Sequence, residues 1–88
     1  GDVWNLLSSL RPRACRINGT DIKYSPDKVQ ISMSGVIEAG MGQAQGIFKN
    51  FTGSLEKMGF KTISQQIHLD LEENTFSLSV EWPVKRGS

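Results

Sequence analysis

The chain has 88 residues, which fits one domain with a single, modest hydrophobic core. Ten lysines and arginines against nine aspartates and glutamates leave a net charge of +1, which argues against a nucleic acid as the partner. The single cysteine, Cys15, excludes an internal disulfide, and together with the single histidine, His68, it supplies too few ligands for a zinc site.

The first two predicted elements are a short helix and a strand. Over residues 2–10 the apolar residues recur at helical spacing, and Pro12 ends the helix because it lacks an amide hydrogen. In the strand that follows, over 14–24, the apolar alternation changes parity halfway along. We expect a bulge at Asn18-Gly19 to restore one buried face, since an extra residue flips the faces and glycine tolerates a positive φ.

A turn over residues 25–28 leads into the second predicted strand. Val29, Ile31 and Met33 alternate with polar residues, which is typical of a half-buried strand, and the pattern continues through Gly35 to Ile37. These two strands are expected to form a hairpin.

The second helix, predicted over 40–58, carries the clearest amphipathic stripe in the chain. The residues of this stripe are Ala44, Ile47, Phe48, Phe51, Leu55 and Met58. Gly59 follows at the position where a left-handed C-cap is expected.

Three glycines interrupt the interior of this helix, although each costs about 0.5–1 kcal/mol relative to alanine. Gly42, Gly46 and Gly53 fall within one narrow sector opposite the apolar stripe, so they face away from the core. A glycine stripe on an outer face lets another backbone approach closely, and we predict that these glycines and Lys49 form a partner interface. The alternative is that the glycines reflect neutral drift in a helix held by tertiary packing.

The last third of the chain is predicted to be a second hairpin with a turn over 72–75. In its first strand the residues expected to point inward are Ile63, Ile67, Leu69 and Leu71. In its second strand they are Phe76, Leu78, Val80 and Trp82. Pro83 ends the strand because proline cannot donate to a sheet.

The predicted order of elements is helix, strand, strand, helix, strand, strand, so an αββ unit occurs twice. One apolar and one polar face per strand is what an antiparallel sheet covered on one side requires. We therefore predict an α+β two-layer sandwich, with both helices on one face of a four-stranded, antiparallel-rich sheet. This is a ferredoxin-like fold whose first strand has moved to the end, and its second and fourth strands are central.

No group of residues in the sequence indicates a catalytic site or a site for a metal, a phosphate group or a nucleic acid. Asp70, Glu72 and Glu73 are expected to be a solvated turn, and His68 lies on the polar sheet face without a second ligand at metal spacing. The glycines at the start of the second helix do not match a phosphate loop, and the polar sheet face has no aromatic residues to stack on bases. We therefore predict no enzyme activity, no catalytic, cofactor-binding or metal-binding residues, and no nucleic-acid partner.

The succession of motifs resembles the periplasmic domain of the PilN-like fimbrial assembly proteins and the related GspL, GspM and PilO domains. The residues that carry this resemblance are Trp4, Leu6, Leu7, Leu10, Cys15, Arg16, Ile17, Ile22, Tyr24, Val29, Ile31, Met33, Gly35, Leu55, Met58, Gly59, Phe60, Phe76, Leu78 and Val80. The resemblance covers nearly the whole chain. The chain departs from the family's typical pattern in its glycine-rich second helix.

The resemblance implies a dimerising scaffold of a type IV pilus or type II secretion inner-membrane platform. Its partner would be itself or a homologous platform protein, and it would need no cofactor. We expect residues 1–88 to be one soluble domain excised from a longer membrane-anchored protein, on the periplasmic side of the bacterial inner membrane.

Two other functions remain open from the sequence. A small-molecule-sensing regulatory module would place its ligand at a subunit interface, and the strand-to-helix turn over 38–42 could serve such a site. An enzyme of acylphosphatase-like shape would need a phosphate-holding loop with an arginine and a catalytic asparagine, and no such loop is evident in the sequence.

Overall fold

The computed structural model describes residues 2–84, apart from the side chain of Asp2. The elements are α1 (Asp2–Leu10), β1 (Cys15–Tyr24), β2 (Lys28–Ile37), α2 (Met41–Met58), β3 (Lys61–His68) and β4 (Asn74–Pro83). The predicted order of two helices and four strands is confirmed, and both helices agree with their predicted bounds to within one residue.

The four strands form one antiparallel sheet in the order β1-β2-β4-β3. The second and fourth strands are central, as predicted, and the first and third are the edges. The chain is thus an α+β domain with a four-stranded antiparallel sheet and two helices, which is compatible with a fold of the ferredoxin-like type.

The core is formed on one face of the sheet by the side chains of alternate residues on the two central strands, together with residues of the helices. On β2 and β4 the buried members are Val29, Ile31, Met33, Ile37, Phe76, Leu78 and Val80. The helices supply Leu7, Ala44, Phe48, Phe51 and Leu55 to the same cluster. Burying a side chain of the size of Leu or Phe stabilises the fold by about 1.5–3 kcal/mol, so α2 is held mainly by its apolar stripe.

The predicted bulge in β1 is present, because the register against β2 shifts between Ile17 and Gly19. The bulge does not need glycine for a positive φ, because Gly59 is the only residue in 2–84 with a positive φ. A Cβ at position 19 would instead meet the Ser34 hydroxyl oxygen at 3.0 Å. A side chain at position 19 would therefore require the Ser34 hydroxyl to shift by a few tenths of an ångström.

Gly59 ends α2 in the left-handed conformation, at φ 110°, as predicted. Its backbone amide donates to the carbonyls of the last helical turn. Met58, which belongs to the predicted apolar stripe, is nevertheless 45% exposed. It lies in the last turn of the helix, where the core ends.

The first strand of the second hairpin differs from its prediction at two apolar residues. A bulge between Thr62 and Ser64 leaves Ile63 as the extra residue, so Thr62 takes the place opposite Val80 and Ile63 is 49% exposed. The turn occupies residues 69–73 and not 72–75, which leaves Leu71 in the turn, 94% exposed. Ile63 and Leu71 are therefore not core residues.

Candidate interaction surfaces

The outer face of α2, defined here by Gly42, Gly46, Lys49 and Gly53, is where the predicted partner interface lies. These residues are spaced by 4, 3 and 4 positions, which places them in one continuous stripe along the helix. They lie opposite the buried residues of α2, and Gly42, Gly46 and Lys49 are exposed.

No part of the described chain needs a glycine on this face. A Cβ built at Gly42, Gly46 or Gly53 has no atom within 4 Å apart from the local helix backbone. Gly35 makes the contrast clear, because its Cβ would lie 1.8 Å from the Arg16 carbonyl oxygen of the neighbouring strand. Gly35 is required for close strand packing, whereas the glycines of the α2 outer face leave room for a group from outside the domain.

The edge strand β3 is the most exposed regular element of the sheet. Six of its eight residues are exposed, namely Lys61, the run from Ile63 to Gln66, and His68, and none is fully buried. Its core-side residues include Gln65, opposite Leu78, and Ile67, opposite Phe76. An edge strand presents unpaired backbone amides and carbonyls along its free side, so β3 offers a template for another strand.

The two edges of the sheet differ in charge. Between Thr62 and Ile67, β3 has no charged residue and no proline. On β1 the residues Arg16, Asp21 and Lys23 are charged and exposed, and a bulge interrupts the strand at Asn18. Charged side chains and bulges are the devices with which edges avoid pairing, so β1 is protected along its length and β3 is protected only at its start.

The open face of the sheet is lined by small hydroxyl side chains. Ser32 lies opposite Ser79 with the two hydroxyl oxygens 2.9 Å apart, and Ser34 lies opposite Ser77. Within residues 2–84 this face has no aromatic side chain, as the sequence predicts. His68 is exposed at its margin, with its Nε2 atom 4.0 Å from a carboxylate oxygen of Asp70.

A depression of about 370 Å³ lies where the turn after β2 meets the turn before β4. Its charged lining consists of Arg16, Glu38, Asp70, Glu72 and Glu73. Arg16 is engaged by Glu38, with its guanidinium nitrogen 2.8 Å from the carboxylate oxygen. That hydrogen bond raises the pKa of the already cationic Arg16, and the remaining carboxylates make the depression acidic.

Asn74 holds the two turns of this depression together and was not singled out by the sequence. Its side chain is buried, its Nδ2 atom donates to the Ala39 carbonyl at 2.8 Å, and its Oδ1 atom accepts from the Asp70 amide at 3.3 Å. The predicted turn over 72–75 includes this residue, whereas the structure places it at the start of β4. The only signal available was that asparagine side chains often bond to backbone groups in turns.

The single cysteine and the single histidine lie far apart and do not form a catalytic pair. Cys15 is fully buried on β1, whereas His68 is exposed on β3, at the opposite edge of the sheet. Burial raises the pKa of the Cys15 thiol, and the positive charge of Arg11 opposes this only in part. Among residues 2–84, no three His, Cys, Asp or Glu side chains are grouped as metal ligands would be.

No helix within residues 2–84 has the length and apolar character needed to cross a membrane. No protein-family model matches the chain, and neither curated proteins nor solved structures give a significant match to it.

Proposed function

We propose that this domain is a non-enzymatic protein–protein interaction scaffold of a type IV pilus or type II secretion inner-membrane platform. It acts on the periplasmic side of the membrane, without a cofactor, and pairs with itself or with a homologous platform protein. The observation that carries this proposal is that β3 is an edge strand of the sheet within residues 2–84 and has no charged residue between Thr62 and Ile67, which makes it a surface suited to binding another polypeptide.

The fold supports the same proposal. Two central strands that are second and fourth in the chain are what a circularly permuted ferredoxin-like domain requires. Residues of both helices share one buried cluster with the alternating residues of β2 and β4, which supports a two-layer sandwich with the helices on one face. This is the architecture expected from the resemblance to the PilN-like domains.

The α2 outer face is proposed as the surface for the homologous platform protein. Its open glycine positions allow a close backbone approach, while Lys49 lies in the middle of the stripe and is exposed. A partner with an acidic side chain opposite Lys49 suits this face better than a second copy, which would bring another lysine to it.

Sedimentation equilibrium from micromolar to millimolar concentration tests the proposed scaffold. We expect a reversible dimer for the chain and for Gly46→Leu, with Gln43→Leu as a control that adds leucine to another exposed face of α2. If Gly46→Leu alone abolishes the dimer while its melting temperature stays normal, the α2 outer face is the self-contact, and its assignment to a different protein is wrong.

The small-molecule-sensing module is the second candidate, and the acidic depression beside Asn74 favours it. Its volume of about 370 Å³ is within the range of ligand pockets. A strict monomer at millimolar concentration, combined with a saturable rise in melting temperature on addition of a small cation such as arginine, would favour this function over the scaffold.

A further inference from the structure

We infer that the partner of the β3 edge is the β3 edge of a second copy of this chain, paired antiparallel about a two-fold axis. The two sheets then form one continuous eight-stranded sheet. This inference rests on the proposed scaffold function and names the occupant of its principal surface. A two-fold contact uses the same strand on both copies, so it requires β3 to be complementary to itself.

The charges at the two ends of β3 provide this complementarity. The strand begins at Lys61 and is followed at its other end by Asp70, Glu72 and Glu73, all exposed. Within residues 2–84, no ion pair engages Lys61. Antiparallel pairing brings the basic start of each strand to the acidic end of the other, whereas parallel pairing would set like charges side by side.

The alternation of side chains limits the register. Directly opposite residues of an antiparallel pair lie on the same face, and Gln65 is on the core side while Gln66 is on the open side. The two-fold axis must therefore lie midway between one residue of β3 and the same residue of the second copy, so that this residue is directly opposite itself. With Gln66 on the axis, the start of the strand at Lys61 in each copy lies beside the turn over residues 69–73 of the other, which carries Asp70, Glu72 and Glu73.

This register also determines which side chains of the two strands face each other. Gln65 lies opposite Ile67 on the core side, where Ile67 is only half-buried within one copy. Ser64 lies opposite His68 on the open side. The bulge at Ile63 lies beyond these pairs, so the uninterrupted part of the strand, from Ser64 to His68, is the part that pairs.

Disulfide trapping tests the contact directly. Opposite residues in antiparallel strands have Cα atoms about 4.5–5.5 Å apart, which a disulfide can bridge, and the native Cys15 is fully buried. We expect Gln66→Cys to give a covalent dimer under mild oxidation. Asp21→Cys, on the exposed β1 edge, and Gly46→Cys, on the α2 outer face, are matched controls and should give no covalent dimer.

Charge variants give a second measurement by sedimentation equilibrium. Gln66→Lys sets two lysines against each other at the axis and should abolish the dimer, while Gln43→Lys makes the same change on exposed α2 and should not. Lys61→Glu should weaken the dimer about tenfold, with a smaller effect at high salt because exposed ion pairs are screened.

The outcomes separate this inference from the proposed function. A dimer that cross-links through Gly46→Cys or Asp21→Cys but not through Gln66→Cys overturns the β3 pairing and leaves the scaffold function standing. A strict monomer that no variant cross-links overturns the β3 pairing as well, and restricts the scaffold to its homologous partner.

Discussion

Glycine has opposite roles at different positions of this chain, and the difference depends on what surrounds each Cα atom. Gly35 lies opposite Ile17 beside the β1 bulge, where the neighbouring backbone leaves no space for a Cβ. The α2 glycines lie in open space, where they contribute nothing to packing within residues 2–84. Identical residues are therefore structural in the sheet and dispensable for folding in the helix.

Alanine substitutions at Gly35 and Gly46 should change stability in opposite directions. Gly35→Ala should lower the free energy of unfolding by about 3 kcal/mol, because the new methyl group collides with the Arg16 carbonyl. Gly46→Ala should raise it by about 0.5–1 kcal/mol, because alanine has the higher helix propensity and meets no neighbour. Urea unfolding of both variants measures the two values. Equal destabilisation by the two changes would contradict the open environment of the α2 outer face.

At the scale of elements, the two turns at one end of the sheet are joined by one side chain. The Asn74 amide bridges the Ala39 carbonyl and the Asp70 amide, so it links the connection between β2 and α2 to that between β3 and β4. A buried polar group is stabilising only while its hydrogen bonds are made. Loss of the Nδ2 donor would leave the Ala39 carbonyl without this hydrogen bond.

Asn74→Asp should lower the free energy of unfolding by about 2 kcal/mol at neutral pH, because a carboxylate cannot donate to the Ala39 carbonyl. Asn50→Asp makes the same change at an exposed position of α2 and should have an effect within about 0.5 kcal/mol. Burial raises the folded-state pKa of the new carboxyl, so the loss is complete above that raised pKa, shrinks as the pH falls through it, and is smallest below the unfolded pKa of about 4. A loss independent of pH in urea unfolding would contradict this.

The elements could be predicted because each carries its own periodicity, and the errors occur where a local pattern continues past the end of an element. Leu69 and Leu71 extend the alternation of β3, but the strand ends at His68, and the turn that follows it is held by Asn74, which also bonds to a distant loop at Ala39. The bulge at Ile63 could not be predicted from the sequence either, because it depends on the register between β3 and β4. The α2 outer face followed from helical spacing, whereas the β3 edge was marked only by the absence of charge.

At the scale of the whole molecule, the domain is elongated, with extents of 49 × 21 × 19 Å. Four strands spaced about 4.8 Å apart span only about 15 Å, so the long dimension runs along the strands. Side-by-side pairing of two β3 edges would therefore widen the particle across its short dimension. A contact between the ends of two domains would instead double its length.

Small-angle scattering of the dimer distinguishes these arrangements. For β3 pairing we expect the maximum dimension to exceed that of the monomer by less than about half, since the second copy is added across a short axis. The monomeric Gln66→Lys variant supplies the reference curve. A doubled maximum dimension would contradict the β3 pairing.

The ladder between β2 and β4 has a consequence for how the chain folds. It joins residues 28–37 to residues 74–83, so the two strands at the centre of the sheet are the most distant in sequence of any pair that bonds. Each hairpin can form from local contacts, but the central ladder closes only when both halves have met, and closure of long loops slows folding. The centre of the sheet therefore couples the two αββ halves into one cooperative unit whose high contact order should make folding slower than that of a helical domain of this length.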